Sequence, residues 1–143
     1  MKNEPIIIER TLNASVDVVW KAITDKDQMK QWYFEPLDDF KPEVGFQTQF
    51  NVRNGGKDYL HIWKVTKVHP GKIISYEWKF RGFPGNSSVT FELNAVGKKT
   101  NVKLTHKGIE TFLADRNPAL ARENFVEGWT SLIGKSLKDF VEK

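Results

Sequence analysis

Histidines at positions 61, 69 and 106 are the side chains of this 143-residue chain best suited to moving a proton near neutral pH. His106 is the foremost candidate. It shares strand parity with Val102 and Leu104, which puts it on a buried face, where it can hydrogen-bond a ligand or act as a general acid. Such chemistry needs a positioned partner, and no residue of the sequence presents itself as one, so a hydrogen-bonded core histidine is the favoured reading and no catalytic residue is assigned. His61 shares parity with Trp63, so two histidines can face inward. Two histidines without a patterned carboxylate make a poor metal site, and neither metal nor cofactor is expected. His69 falls in a turn and is given no role. The aromatic side chains are the second resource. Trp63, Tyr76 and Trp78 can line a pocket, with indole N–H and phenol O–H groups orienting a ligand. Trp32, Phe125 and Trp129 join them and His106 as candidate ligand-binding residues, whereas Phe46, Phe50 and Phe91 are assigned to the core.

The remaining inventory removes whole classes of function. Without cysteine there is no disulfide framework, thiolate zinc site, iron–sulfur cluster or thiol nucleophile, which fits a reducing compartment. The zinc-protease helix motif, the phosphate-binding glycine loop, the nucleophile elbow and the dinucleotide fingerprint are all missing. A net charge of +4, from 22 basic and 18 acidic residues, is spread along the chain and lacks the clustered footprint of a nucleic-acid binder. Its densest spot is Lys98, Lys99, Lys103 and Lys107. The first ten residues hold one short apolar run before Glu9-Arg10, too little for a signal peptide, and no stretch reaches membrane-spanning length. A cytoplasmic protein without nucleic-acid or membrane partners is the expectation. The glycosylation sequons at Asn13 and Asn86 then read as chance matches.

These side chains need a scaffold, and the periodicity describes one. No repeat or linker interrupts residues 1–143, so a single domain is expected. Ile6 to Leu12 reads as a strand. Val16, Val19, Trp20 and Ile23 then recur at helical spacing behind a Ser15 N-cap. A second short helix is predicted from Lys26 to Tyr33, with Asp25 capping, Gln28 reaching back in a capping box, and Met29, Trp32 and Tyr33 facing inward. From Phe46 the period becomes two. Phe50 and Val52 continue that face, Asn54-Gly55-Gly56 forms a hairpin turn, and a strand runs from about Tyr59 to Val68. His69-Pro70-Gly71-Lys72 reads as a type II turn. Alternating strands follow through Ile74 to Phe80, Val89 to Leu93, and Val102 to His106, giving an antiparallel meander. From about Ala119 to Val141 the helical period returns, with Pro118 at the start and a stripe through Phe125, Trp129, Leu132, Ile133 and Leu137. One helix stripe and one sheet face must cover each other. Gly128 and Gly134 each weaken that helix by about 0.8–1 kcal/mol relative to Ala. Close approach to the sheet or room for a ligand would account for Gly128, and nothing in the sequence accounts for Gly134.

The order of strand, two short helices, meander and long C-terminal helix resembles the helix-grip fold of the START-like superfamily, an α+β architecture. The run from Ser15 to Asp25, followed by Trp32, resembles the opening signature of the activator of heat-shock protein 90 ATPase homologue family. Val65 to Pro70, Ile74 to Trp78, Val89 to Leu93, Lys103 to His106, and Gly128-Trp129 with Leu132 continue the pattern in order. The resemblance implies a curved sheet gripping the helix, with a space between them that in relatives often takes apolar small molecules. Two departures add bulk: Val44-Gly45-Phe46 stands where relatives commonly carry a Gly-Gly pair, and Trp63 stands where a small residue is frequent. An inward Trp63 would narrow or plug the cavity.

The leading expectation is a non-catalytic module that binds an apolar or aromatic small molecule between sheet and helix. A protein-interaction or chaperone-associated, stress-response module is the alternative. The third reading is a polyketide cyclase-like enzyme using His106.

Overall fold

The computed structural model describes residues 4–54 and 56–143. The chain opens with strand β1 (Ile6–Leu12), followed by helices α1 (Val16–Thr24) and α2 (Lys26–Trp32). Ser15 Oγ accepts from Val18 N–H at 3.3 Å, and Asp25 Oδ2 accepts from Gln28 N–H at 3.1 Å, so both predicted N-caps form. The reciprocal half of the capping box does not. Asp25 also ends α1, and its own N–H already donates to Lys21 O at 2.9 Å, so Gln28 has no orphan donor to satisfy. An Asp25→Ala variant should lose about 1 kcal/mol of stability, measurable by urea denaturation; an unchanged midpoint would show that the cap contributes nothing.

Strands β2 (Gln47–Asn54), β3 (Lys57–His69), β4 (Ile73–Phe80), β5 (Ser87–Val96) and β6 (Lys99–Lys107) follow. With β1 they form one antiparallel six-stranded sheet in the order β1-β6-β5-β4-β3-β2. Of the Asn54-Gly55-Gly56 turn, Gly55 lies outside the described residues; Asn54 pairs with Lys57 across it, and Gly56 has a φ of +79°. The β3–β4 connection matches the predicted type II turn, with Gly71 at φ +76° and Lys72 N–H donating to His69 O at 2.9 Å. The β3–β4 register slips at Thr66, between Val65 and Lys67, a bulge that bends β3 and raises its local twist. Alternation holds along the core strands: Ile74, Tyr76, Trp78 and Phe80 are buried, as are Val89, Phe91, Leu93, Val102, Leu104 and His106. This is the helix-grip arrangement, closed by the C-terminal helix.

That helix differs from the unbroken one predicted from Ala119 to Val141. Pro118–Leu120 is a single 3₁₀ turn, and Ala121 is extended, with φ −70° and ψ 151°. Helix α3 begins only at Arg122 and runs to Ser131. The burial of Leu120 explains the break. Nine residues before Trp129, it would sit half a turn round from Trp129 in a continuous helix and face solvent; the kink returns it to the interior, where it is 4% exposed. Beyond α3 the chain passes through a π-helical segment, Leu132–Leu137, into α4 (Lys138–Val141), so the whole run is about 30 Å long. Gly134 lies in the π segment, where an added Cβ would stand 3.4 Å from Arg10 Nε. The Arg10 side chain on β1 therefore lies over this glycine, the packing reason that the sequence did not reveal.

Candidate functional site

Between the sheet and the C-terminal helix lies a half-open cavity of about 410 Å³, within the usual range for small-molecule sites. Strands β2, β3 and β4 supply Val52, Tyr59, His61, Trp78 and Phe80. The helix supplies Asn124, Phe125, Gly128, Trp129, Ser131 and Leu132, and the segments leading into elements supply Phe34, Ala119 and Leu120. Sheet residues reach it because odd positions of β3 and even positions of β4 share the concave face, with His61 paired to Phe80 and Trp63 to Trp78. Helix residues reach it because 125, 128, 129 and 132 form one face. None of the described residues lining the cavity is an Asp, Glu, Lys or Arg.

His61 stacks on Phe50, with centroids 4.8 Å apart and planes at 18°, and meets Phe80 edge-on. Its Nδ1 lies 2.9 Å from Tyr59 O. A carbonyl only accepts, so Nδ1 carries the proton and Nε2 is an acceptor. Burial lowers the His61 pKa to about 4, against a weaker opposing pull from the Tyr59 carbonyl.

His106 sits beside the cavity and is fully enclosed, at 0% exposure. The indole N–H of Trp129 donates to its Nδ1 at 3.0 Å, and its Nε2 lies 2.8 Å from Ser87 Oγ. An indole nitrogen only donates, so Nδ1 must accept and Nε2 must carry the proton. Ser87 Oγ accepts that proton's hydrogen bond and passes its own hydrogen to Trp78 O at 2.6 Å. One ordered relay thus joins helix α3 to β6, β5 and β4. Both ring nitrogens are used, and burial among Trp78, Phe125 and Trp129 lowers the pKa to about 3. His106 is a hydrogen-bonded core histidine, the reading favoured from sequence, and it has no free valence with which to serve a substrate.

The interior beyond the cavity is filled with aromatic rings. Trp63, at 0% exposure, packs against Tyr33, Phe34, Phe50, Tyr76 and Trp78. The hydroxyls of Tyr33 and Tyr76 meet at 2.7 Å, and burial raises the pKa of both. Trp32 stacks on Tyr33 and donates its indole N–H to Ala22 O at 2.7 Å, tying α1 to α2. The indole nitrogens of Trp63 and Trp78 are sealed with no hydrogen-bond acceptor among the described residues, and both rings have aromatic neighbours edge-on.

The family model described as "Activator of Hsp90 ATPase homolog 1-like protein" matches residues 13–142. The chain belongs to that family. Solved structures share the fold of this family member. A Chromobacterium violaceum protein superposes with a TM-score of 0.82 at 22% identity, over 100% of this chain and 99% of the other. A Mesorhizobium loti protein gives 0.77 at 25% identity, over 97% of each. The Aha1 dimer from Colwellia psychrerythraea, solved in solution, gives 0.70 at 24% identity, over 96% of each. No curated protein matches the sequence.

Of the seven candidate ligand-binding residues, the structure brings Trp78, Phe125 and Trp129 together on the cavity wall of this family member. Trp32, Trp63, Tyr76 and His106 lie outside that wall, packed into the core behind it. Phe34, Val52, Tyr59, Phe80 and Leu120 line it without having been singled out. For Val52, Tyr59 and Phe80 the inward parity was a usable signal; for Phe34 and Leu120, in irregular segments, there was none. An added Cβ at Gly128 meets nothing within 4 Å, so close approach to the sheet does not explain this glycine, and open cavity lies in front of it. Among the described residues no group of three or more His, Cys, Asp or Glu is placed to hold a metal, and no helix is long and apolar enough to cross a membrane.

Proposed function

We propose that this protein is a non-catalytic binding module for an apolar or aromatic small molecule, held between the sheet and the C-terminal helix. The observation that carries the reading is the cavity itself: about 410 Å³, walled by aromatic and aliphatic side chains with few polar groups, and left open although the neighbouring interior is packed solid with rings. The enclosed, fully bonded His106 speaks against a cyclase that would use it. A protein partner is the second reading, supported by the family's description. Among the described residues, the large exposed apolar side chains, Ile7, Val18, Val44, Val96 and Leu113, are scattered over β1, α1, the end of β5 and separate connecting segments, which gives that reading less support.

The test is native mass spectrometry of the protein isolated from its own host, alongside a Gly128→Leu variant. Gly128 lines the cavity and an added Cβ there meets nothing within 4 Å, so the variant should fold at least as stably as the parent, and replacing a helical glycine contributes roughly 0.8 kcal/mol. A small molecule carried by the parent and lost from Gly128→Leu is the expected result. A parent that carries nothing, and whose melting temperature no aromatic compound raises, would overturn the reading.

A further inference from the structure

We infer that the cavity selects an uncharged aromatic ligand bearing a hydroxyl or N–H donor, and that His61 Nε2 is the group that receives it. This rests on the cavity reading above and specifies its ligand class. The protonation of His61 is set by the backbone of its own strand, because Nδ1–H is committed to Tyr59 O at 2.9 Å. Nε2 is thereby a lone pair. It has no hydrogen-bond partner among the described residues, and it is not among their sealed unpartnered nitrogens, which are those of Trp63 and Trp78. Since His61 lines the cavity and is otherwise enclosed by Phe34, Phe50, Trp78 and Phe80, the cavity is the space into which that lone pair opens.

The mouth has the same polarity. Asn124 Nδ2 donates to Pro118 O at 3.1 Å and to Ala119 O at 3.2 Å, which turns Oδ1 outward as an acceptor. Tyr59 and Ser131 carry hydroxyls that rotate to serve either way. The two polar groups whose orientation the structure determines both accept, so a ligand must donate to satisfy them. It must also be uncharged. An arenecarboxylate or phenolate would lose its hydration against aromatic walls without a cation among the described lining residues, and its oxygens would oppose the lone pair of Nε2. Aromatic faces on both sides, Trp78 and Phe80 from the sheet and Phe125 and Trp129 from the helix, suit a flat ring system.

The experiment uses four probes of one shape on the full chain: 2-naphthol, 2-methoxynaphthalene, naphthalene and 2-naphthoate, with affinities from calorimetry. 2-Naphthol should bind about fivefold more tightly than its methyl ether, the factor made by one net hydrogen bond of about 1 kcal/mol. 2-Naphthoate should bind weakest. The ¹⁵N resonance of His61 Nε2 should move upfield with 2-naphthol and stay in place with naphthalene. A His61→Phe variant, which keeps a ring at the position, should level the first two affinities. The nitrogen resonance on the parent protein keeps the test decisive if that variant folds poorly. Equal affinities for 2-naphthol and its ether with an unmoved Nε2 signal, while Gly128→Leu still abolishes binding, would overturn the role of His61 and leave the cavity reading standing. If none of the four binds, or Gly128→Leu leaves all four affinities unchanged, both fall.

Discussion

Lowering the pH from 7 to 5 should destabilise the protein by roughly 4 kcal/mol, a large share of the 5–15 kcal/mol that holds a domain of this size together. The cause is the pair of buried histidines. In the unfolded chain both take up a proton below about pH 6.5. In the folded protein His106 stays neutral to about 3 and His61 to about 4, in each case because burial penalises the charged ring. Between those limits the unfolded state binds more protons than the folded one, so stability falls as pH falls. Each histidine contributes about 1.4 kcal/mol per pH unit within its window. Among the described residues nothing charged shifts His106, which is ringed by Trp78, Phe125 and Trp129 and bonded to Ser87; His61 is ringed by Phe34, Phe50, Trp78 and Phe80. Urea denaturation at pH 7.5, 6 and 5 would read the effect directly. A midpoint unchanged across that series would mean that the two rings are hydrated and titrate normally.

A His106→Ala variant should lose about 3–5 kcal/mol, for reasons distinct from titration. It leaves a void among Trp78, Phe125 and Trp129, removes the acceptor of the Trp129 indole N–H, and removes the donor to Ser87 Oγ, all in a region closed to water. Trp129→Phe breaks the relay at one bond and leaves Nδ1 without its donor, so a smaller loss of about 1–3 kcal/mol is expected. The two costs should not add in the double variant, because both remove the same hydrogen bond. Chemical denaturation of the two variants and the double variant measures this. Additive losses would show that Trp129 and His106 are not coupled. Ligand binding is a separate readout: His106 lies outside the cavity wall, so His106→Ala should retain affinity for 2-naphthol wherever it remains folded.

The same two histidines show how far sequence reaches. The parity of His106 with Val102 and Leu104 predicted its burial, because a strand repeats every two residues whatever surrounds it. Its bonding was out of reach, since Ser87 lies on a neighbouring strand and Trp129 on a helix more than twenty residues away. His61 had inward parity as well, yet its tautomer depends on a carbonyl two residues back and its role on a void that no local pattern describes. Leu120 marks the opposite failure. The stripe through Phe125 and Trp129, with Pro118 read as the start, predicted a helix from about Ala119 that takes Leu120 in, and burial of that one side chain broke it.

Sequence alone therefore determined the order of elements, the caps at Ser15 and Asp25, the type II turn at Gly71, the absence of thiol chemistry and the inward set of aromatic residues, because each depends on neighbours a few positions apart. Tertiary structure decided which of those aromatics fill space and which surround it. Trp63 and Tyr76, both at 0% exposure, occupy the volume under β3 and β4, and Trp32 seals α1 against α2. Trp78 and Trp129 do both, supporting the core on one side and walling a cavity on the other. Whether a void remains between a sheet and a helix depends on their separation and on every side chain projecting between them. That sum is made only when the whole chain has closed.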